Sequence, residues 1–129
     1  MKKIAVTRPL VLVVEDDFLI RITAVEMIEA AGFDVVEAAN ADEAMEILIS
    51  RLDISVVFTD IQSPGSMDGL KLAAKIRGRW PPIKIVTTSG MVDVRKLDLP
   101  AGGRFLPKPY SCADIVGTLR DLTSAEARI

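Results

Sequence analysis

Four polar groups, each directly after an apolar run, are the residues of this sequence that could do chemistry. In chain order they are Glu15-Asp16-Asp17, Asp60, Thr87-Thr88-Ser89 and Lys108. Carboxylates that lie close together repel, so such a cluster either raises a pKa or binds a metal ion. Hard oxygen ligands suit Mg²⁺, whereas hydroxyl, amide and ammonium donors suit a phosphoryl group. One divalent ion and Lys108 would balance the charges of Glu15, Asp16 and Asp60.

The apolar runs before these groups predict β-strands. The continuous branched-apolar run from Leu10 to Val14 is typical of a strand buried on both faces. Further strands are predicted over residues 33–38, 54–59, 83–88 and 104–107. Each polar group therefore stands at the carboxyl end of a strand.

Amphipathic stretches between the strands predict helices over residues 18–31, 40–52, 68–78 and from Ser111 onward. Gly32 stands where a helix C-cap belongs, Asn40 with Glu43 resembles a capping box, and Ser111 is a good N-cap. A weak additional helix is indicated near residues 94–97. The side chains expected to face inward are Ile22, Val25, Ile28, Ala44, Ile47, Leu48, Leu72, Ala73, Ile76, Ile115, Leu119 and Leu122.

Regular alternation of strands and helices predicts an α/β fold with a parallel sheet. Because crossover connections are right-handed, the expected architecture is a doubly wound (βα)5 flavodoxin-like three-layer sandwich, with strand order 2-1-3-4-5. Ligands of such sheets bind at the carboxyl ends of the strands, where the strand order reverses. The length of 129 residues predicts one domain over 1–129, with a core of about 10–123 and no output domain.

Composition excludes several classes of function. The net charge of -2, from 16 basic and 18 acidic residues, argues against nucleic-acid binding. Histidine is absent, which removes Ser-His-Asp and Cys-His catalysis. No apolar run is long enough to cross a membrane, and the single cysteine, Cys112, fits a reducing cytoplasm. Cys112 is expected to be buried, and Trp80 is expected to cover a helix end.

The motifs at the strand ends resemble those of the response-regulator receiver family. They are Val13-Val14-Glu15-Asp16-Asp17, Thr59-Asp60 with Pro64 and Met67-Asp68-Gly69, Ser89-Gly90, and Lys108-Pro109. Each motif is weak alone, but the four occur in order at successive strand ends. The resemblance extends over about residues 10–122.

This resemblance implies a stand-alone phosphoacceptor of a two-component phosphorelay. Asp60 would take a phosphoryl group from a phosphohistidine of a sensor histidine kinase or histidine phosphotransfer protein. Asp16, Asp60 and the Gln62 carbonyl would bind Mg²⁺ directly, and Glu15 through water. Lys108 would hold the phosphoryl group. The peptide bond between Lys108 and Pro109 would be cis. The chain would catalyse only its own phosphotransfer and dephosphorylation, and would signal to a downstream protein target.

The resemblance also implies a switch, formed by a hydroxyl group and by Phe105, whose rotamer would change with it. Ser89 is the favoured hydroxyl because Gly90 follows it, and Thr88 is the alternative. Glu15 stands where the family often has Asp, and the loop through Pro64 is one residue longer than usual. A homodimer is compatible with the family.

Three other functions compete with the phosphoacceptor. An aspartate-nucleophile phosphatase or dehalogenase generally carries a second Asp two residues after the nucleophile, where this chain has Gln62. A flavin- or nucleotide-binding domain needs a phosphate cradle after the first strand, where this chain has carboxylates. A receiver-like module that acts by binding alone, without phosphorylation, remains an alternative.

Overall fold

Five parallel strands form one sheet in the order β2-β1-β3-β4-β5, as the sequence predicted. The computed structural model describes residues 8–61, 67–89 and 103–127. The elements are β1 (Leu10–Val14), α1 (Phe18–Ala30), β2 (Asp34–Ala38), α2 (Ala41–Ser50), β3 (Ile54–Asp60), α3 (Met67–Arg79), β4 (Lys84–Ser89), β5 (Gly103–Pro107) and α4 (Cys112–Ala127). The weak helix predicted near residues 94–97 lies outside the described residues.

Alternation along the strands builds two cores, one on each face of the sheet. In β1, Leu10, Leu12 and Val14 pack towards α2 and α3, whereas Val11 and Val13 pack towards α1 and α4. Successive side chains of a strand point to opposite faces, so a continuous apolar run supplies both cores. The result is the predicted three-layer sandwich.

The helices bury most of the side chains that periodicity selected. Ile28, Ala44, Leu48, Leu72, Ala73, Ile76, Ile115, Leu119 and Leu122 are all buried. Ile22, Val25 and Ile47 are half-buried. Spacing therefore identified the inward faces of α2, α3 and α4, whereas α1 buries Ala24, which was not selected, together with Ile28.

Local side-chain chemistry determines where the helices begin and end. Asn40 accepts from the Glu43 amide at 2.9 Å, and Glu43 accepts from the amide of Ala39, the residue before the N-cap, at 2.7 Å. At the start of α4 the bonds are fully reciprocal, because the side chains of Ser111 and Asp114 each accept from the other's amide. Gly32 follows the C-cap of α1 with φ of 102°, a left-handed conformation that favours glycine.

Some predictions at the ends of elements are wrong. Helix α2 ends at Ser50, and Leu52, expected in its last turn, is 94% exposed. Phe33 is buried but precedes β2. Cys112 is exposed although it shares a face with Ile115 and Leu119, because the first turn of α4 is exposed and burial begins only at Ile115. Trp80 directly follows α3 and is half-buried against the core, with the Arg79 guanidinium 4.7 Å from its ring centroid; that it covers the helix end stays a prediction.

None of the helices in the described part of the chain is both long enough and apolar enough to span a membrane.

Two leucines of the α2 region provide a test of this packing. Leu48 is 1% exposed, so Leu48→Ala removes buried methyl groups and leaves a cavity. We expect it to lower the free energy of unfolding by about 2–5 kcal/mol in urea titrations. The control Leu52→Ala, at a fully exposed leucine, should change it by less than about 0.5 kcal/mol. Equal losses in both variants would contradict the assignment of Leu48 to the core.

Candidate functional site

The register of the sheet brings Glu15 and Asp60 to one edge. Val14 of β1 pairs with Thr59 of β3. The next residues of the two chain segments, Glu15 after β1 and Asp60 at the end of β3, therefore lie next to each other. Lys108 follows β5, which is two strands away from β3. Its long side chain spans that distance. The Lys108 Nζ lies 2.9 Å from Asp60 Oδ2 and 3.8 Å from Glu15 Oε1.

This acidic cluster is largely removed from water. The exposed fractions of the side chains are 6% for Glu15, 8% for Asp60 and 22% for Lys108. Burial raises the pKa of Glu15 from 4.5 to about 7, and the charge of Asp60 adds to the rise. The neighbouring carboxyl groups of Asp60 and Asp16 raise the pKa of Glu15 further.

The turn after β1 is held by main-chain hydrogen bonds. The Glu15 amide donates to the Ala38 carbonyl at 3.0 Å, which joins the turn to β2. The Asp17 amide donates to Glu15 Oε2 at 3.0 Å, a bond that opposes the rise in the Glu15 pKa. Asp17 itself is the N-cap of α1, accepting from the Ile20 amide at 3.0 Å. Asp17 therefore serves the helix, whereas Glu15 and exposed Asp16 belong to the cluster.

The predicted switch residues lie on the two strands beyond Asp60. Thr88 is 1% exposed and pairs in register with Asp60, and the Ile61 amide donates to the Thr88 carbonyl at 3.0 Å. Ser89 ends β4 opposite Pro107, but its side chain lies outside what the structure describes. Phe105 is half-buried in β5 and pairs with Thr87. Their roles remain predictions.

The donor set at this edge suits a hard divalent cation. In the described ranges, no group of three or more His, Cys, Asp or Glu side chains is arranged to hold a metal ion. Mg²⁺ does not need such a group, because it typically uses one or two carboxylates and keeps several waters. Two buried carboxylates beside exposed Asp16 meet that requirement, and their mutual repulsion is relieved by a cation. The predicted Gln62 carbonyl lies outside the described residues.

The sequence profile of the response regulator receiver domain matches residues 11–120, most of the chain. The chain belongs to the receiver family. Sensor kinase CckA of Brucella abortus is 34% identical over 116 residues, which cover 87% of this chain and 12% of the kinase. Aerobic respiration control protein ArcA of Escherichia coli is 35% identical over 118 residues, which cover 90% of this chain and 49% of that protein. The receiver thus spans half or less of these curated relatives.

A solved structure with the same fold is the CheY-like response regulator receiver domain protein of Methanospirillum hungatei. It superimposes with a TM-score of 0.81, covers 95% of this chain and 100% of its own, and is 24% identical in sequence. This likeness supports the flavodoxin-like arrangement of the receiver.

A residue that sequence inspection missed, Tyr110, lies beside the acidic cluster of the receiver. Its ring contacts Phe58 edge-on, with centroids 5.8 Å apart and planes at 88°. Burial raises the pKa of Tyr110 to about 12, and the charges of Glu15 and Asp60 add to the rise. The available signal was an aromatic residue directly after Lys108-Pro109. That Lys-Pro bond is cis, as the resemblance implied.

An apolar groove of about 570 Å³ opens next to the same cluster. It lies between α1 and the residues after β5, and it is lined by Leu19, Ile20, Thr23, Met27, Lys108, Pro109 and Tyr110. Leu19 and Ile20, two of these lining residues, are 72% and 39% exposed. Exposed apolar side chains that form a continuous patch, rather than single residues, often mark an interaction surface.

Replacement of Lys108 tests the electrostatics of the cluster. Lys108→Met leaves the carboxylates of Asp60 and Glu15 without their ammonium partner. In Mg²⁺-free buffer at neutral pH, we expect the free energy of unfolding to fall by about 1–3 kcal/mol. Adding Asp60→Asn should restore part of the loss, because one buried negative charge disappears. Lys84→Met, at the amino end of β4, is the control, and an equal loss there would contradict a specific role for Lys108.

Proposed function

We propose that this receiver is a phosphoacceptor whose nucleophile is Asp60. The observation that carries the proposal is the contact of Lys108 Nζ with Asp60 Oδ2 at 2.9 Å, beside buried Glu15. A carboxylate that lies 8% exposed at a strand end is protected from bulk water but reachable from the loop side. An ammonium group that already contacts it can also contact a phosphoryl oxygen attached to it.

The reaction is phosphoryl transfer from a phosphohistidine on a partner. A carboxylate oxygen of Asp60 forms a bond to phosphorus while the phosphorus–nitrogen bond breaks. The imidazole nitrogen keeps the electron pair of that bond and is protonated from solvent. Lys108 contacts the phosphoryl oxygens, and its positive charge stabilises their negative charge during the transfer. Later attack by water on phosphorus returns Asp60 and releases phosphate.

Magnesium would be held by Asp16 and Asp60, with Glu15 acting through a water molecule and the Gln62 carbonyl as a further ligand. When bound, the ion supplies positive charge that offsets the phosphoryl oxygens and the clustered carboxylates. Glu15 is buried and accepts from the Asp17 amide, which keeps its carboxylate at a constant place for a bridging water.

The acyl phosphate adds negative charge at the end of β3, and the switch is proposed to respond to it. Ser89 remains the favoured hydroxyl and Thr88 the alternative, with Phe105 changing rotamer in β5. Movement of these residues would alter a protein-binding surface that a downstream target recognises. A homodimer formed through that surface is part of the same proposal.

The proposed donors are a sensor histidine kinase or a histidine phosphotransfer protein. The chain's similarity to a sensor kinase receiver and to ArcA supports this class of partner. We propose a single receiver domain over residues 1–129, with a core of about 10–123 and output through protein contacts. A cytoplasmic location belongs to the same proposal, since Cys112 is a free thiol.

Phosphorylation by a small donor tests the proposed nucleophile. With acetyl phosphate and Mg²⁺, intact mass spectrometry should show one added phosphoryl group. Asp60→Asn should abolish it. The control Asp53→Asn, at an exposed carboxylate paired with Arg51, should leave it unchanged. Incorporation that persists in Asp60→Asn, or that never occurs in the native chain, would overturn the proposal and leave a module that acts by binding alone.

Turnover of a free phosphoester separates the receiver from the phosphatase alternative. Gln62 cannot supply the acid that protonates an alkoxide leaving group, so we expect no sustained hydrolysis of an alkyl phosphoester such as glycerol phosphate with Mg²⁺. Repeated turnover by the native chain, lost in Asp60→Asn, would instead establish a hydrolase.

The apolar groove is the proposed docking surface for the protein donor, because it adjoins Lys108 and is lined by Leu19, Thr23 and Met27 on one face of α1. Leu19→Asp should slow transfer from an autophosphorylated histidine kinase by about tenfold. Its rate with acetyl phosphate should be unchanged, since a small donor needs no docking surface.

The donor for this measurement is the fastest kinase in a panel purified from the organism that encodes the chain. Leu52→Asp is the control, because Leu52 is exposed at the opposite edge of the sheet. The docking proposal would be contradicted if Leu19→Asp slowed transfer from the kinase and transfer from acetyl phosphate equally. It would also be contradicted if no kinase in the panel transferred a phosphoryl group to the native chain.

A further inference from the structure

Arg21 makes contacts that the phosphoacceptor chemistry leaves unexplained. It lies one turn into α1, where its amide donates to the Asp17 carbonyl at 2.9 Å. Its guanidinium does not extend into solvent, since only 16% of the side chain is exposed. Arginine is seldom so well buried unless its donors have defined partners.

Those partners belong to the two strands beside the acidic cluster. Arg21 Nη1 donates to the main-chain carbonyl of Glu15 at 2.8 Å. Arg21 Nε donates to Glu37 Oε1 at 3.0 Å, and Glu37 lies on β2. One rigid guanidinium therefore joins α1, the end of β1 and β2.

The contact with the Glu15 carbonyl has a consequence for Asp16. That oxygen belongs to the peptide unit that connects Glu15 to Asp16, and a peptide unit is planar. Holding its carbonyl oxygen fixes the orientation of the plane and hence the direction in which the chain continues to Asp16. The turn is restrained at its main chain, so this bond consumes no carboxylate oxygen of either acid.

We propose that Arg21 is a positioning residue that holds the Glu15-Asp16 turn in the geometry that binds a divalent cation. The inference rests on the proposed function, because the cation is the one assigned there to Asp16 and Asp60. Loss of a residue that orients the ligands of a metal typically lowers the metal affinity by about 10–100-fold.

Arg8 provides a matched control within the same chain. It too donates to main-chain carbonyls of the α1 region, with Nε 3.0 Å from Gly32 O and Nη2 3.3 Å from Phe33 O. It also pairs with an acid of β2, Asp34, at 3.5 Å. These contacts lie at the far end of α1, away from the acidic cluster. Replacement of Arg8 therefore shows the effect of losing similar contacts at a place where no metal ligand is affected.

The experiment is calorimetric titration of Mg²⁺ into the full chain in its unphosphorylated form. We expect Arg21→Met to raise the Kd for Mg²⁺ by about tenfold. Arg21→Lys should give a smaller rise, because one ammonium can reach the Glu15 carbonyl but lacks the guanidinium fork. Arg8→Met should leave the Kd unchanged, and urea titrations of each variant report its stability separately.

Phosphorylation by acetyl phosphate supplies a second readout. In Arg21→Met, the Mg²⁺ concentration for half-maximal rate should rise with the Kd, whereas the maximal rate at saturating Mg²⁺ should return to the native value. A folded Arg21→Met with native Mg²⁺ affinity would overturn the proposal, as would an equal loss of affinity in Arg8→Met. Absence of Mg²⁺ binding by the native chain would refute the proposed function itself, and the role of Arg21 with it.

Discussion

Two carboxylates, Glu15 and Asp60, are buried side by side and repel each other. The site depends on how the fold compensates for this repulsion. Each carries little solvent exposure, and they share the ammonium of Lys108. The Asp17 amide supplies a further donor to Glu15. The compensation is incomplete: burial, and to a smaller extent the charge of Asp60, still raise the pKa of Glu15 to about 7. A site that retains excess negative charge is suited to a cation, and a lysine already in contact is suited to a phosphoryl group.

Two buried acids stay close together only if the strand ends that carry them cannot move apart. The cluster stands on the ends of strands whose side chains fill two cores, and Val11, Leu12 and Val13 are fully buried. Close packing on both faces leaves the strand ends little freedom to separate. The parallel register then places Glu15, Asp60 and Thr88 on one edge, at the point where the strand order reverses.

Helix α1 connects the cluster to the outer surface. Its inner face packs Ala24 and Ile28 against the sheet, and its N-cap, Asp17, immediately follows the acids. Its first turn exposes Leu19 and Ile20 in the groove, while Arg21 donates to the Glu15 carbonyl. The same turn thus borders the proposed docking surface and restrains the proposed metal-binding turn, which places partner contact and site geometry on one element.

The sequence by itself determined the alternation of elements, the inward faces of α2, α3 and α4, and the polar residues at the carboxyl ends of the strands. These depend on local periodicity and capping, as the buried Leu72 and Ile76 and the capping pair at Ser111 illustrate. Only the tertiary structure decided that Lys108 contacts Asp60, that Tyr110 approaches both acids and that Arg21 holds a carbonyl. It also decided the exposure of Cys112 and Leu52. Those outcomes arise from the register between strands far apart in sequence and from the position of each helix along the sheet, which no local pattern encodes.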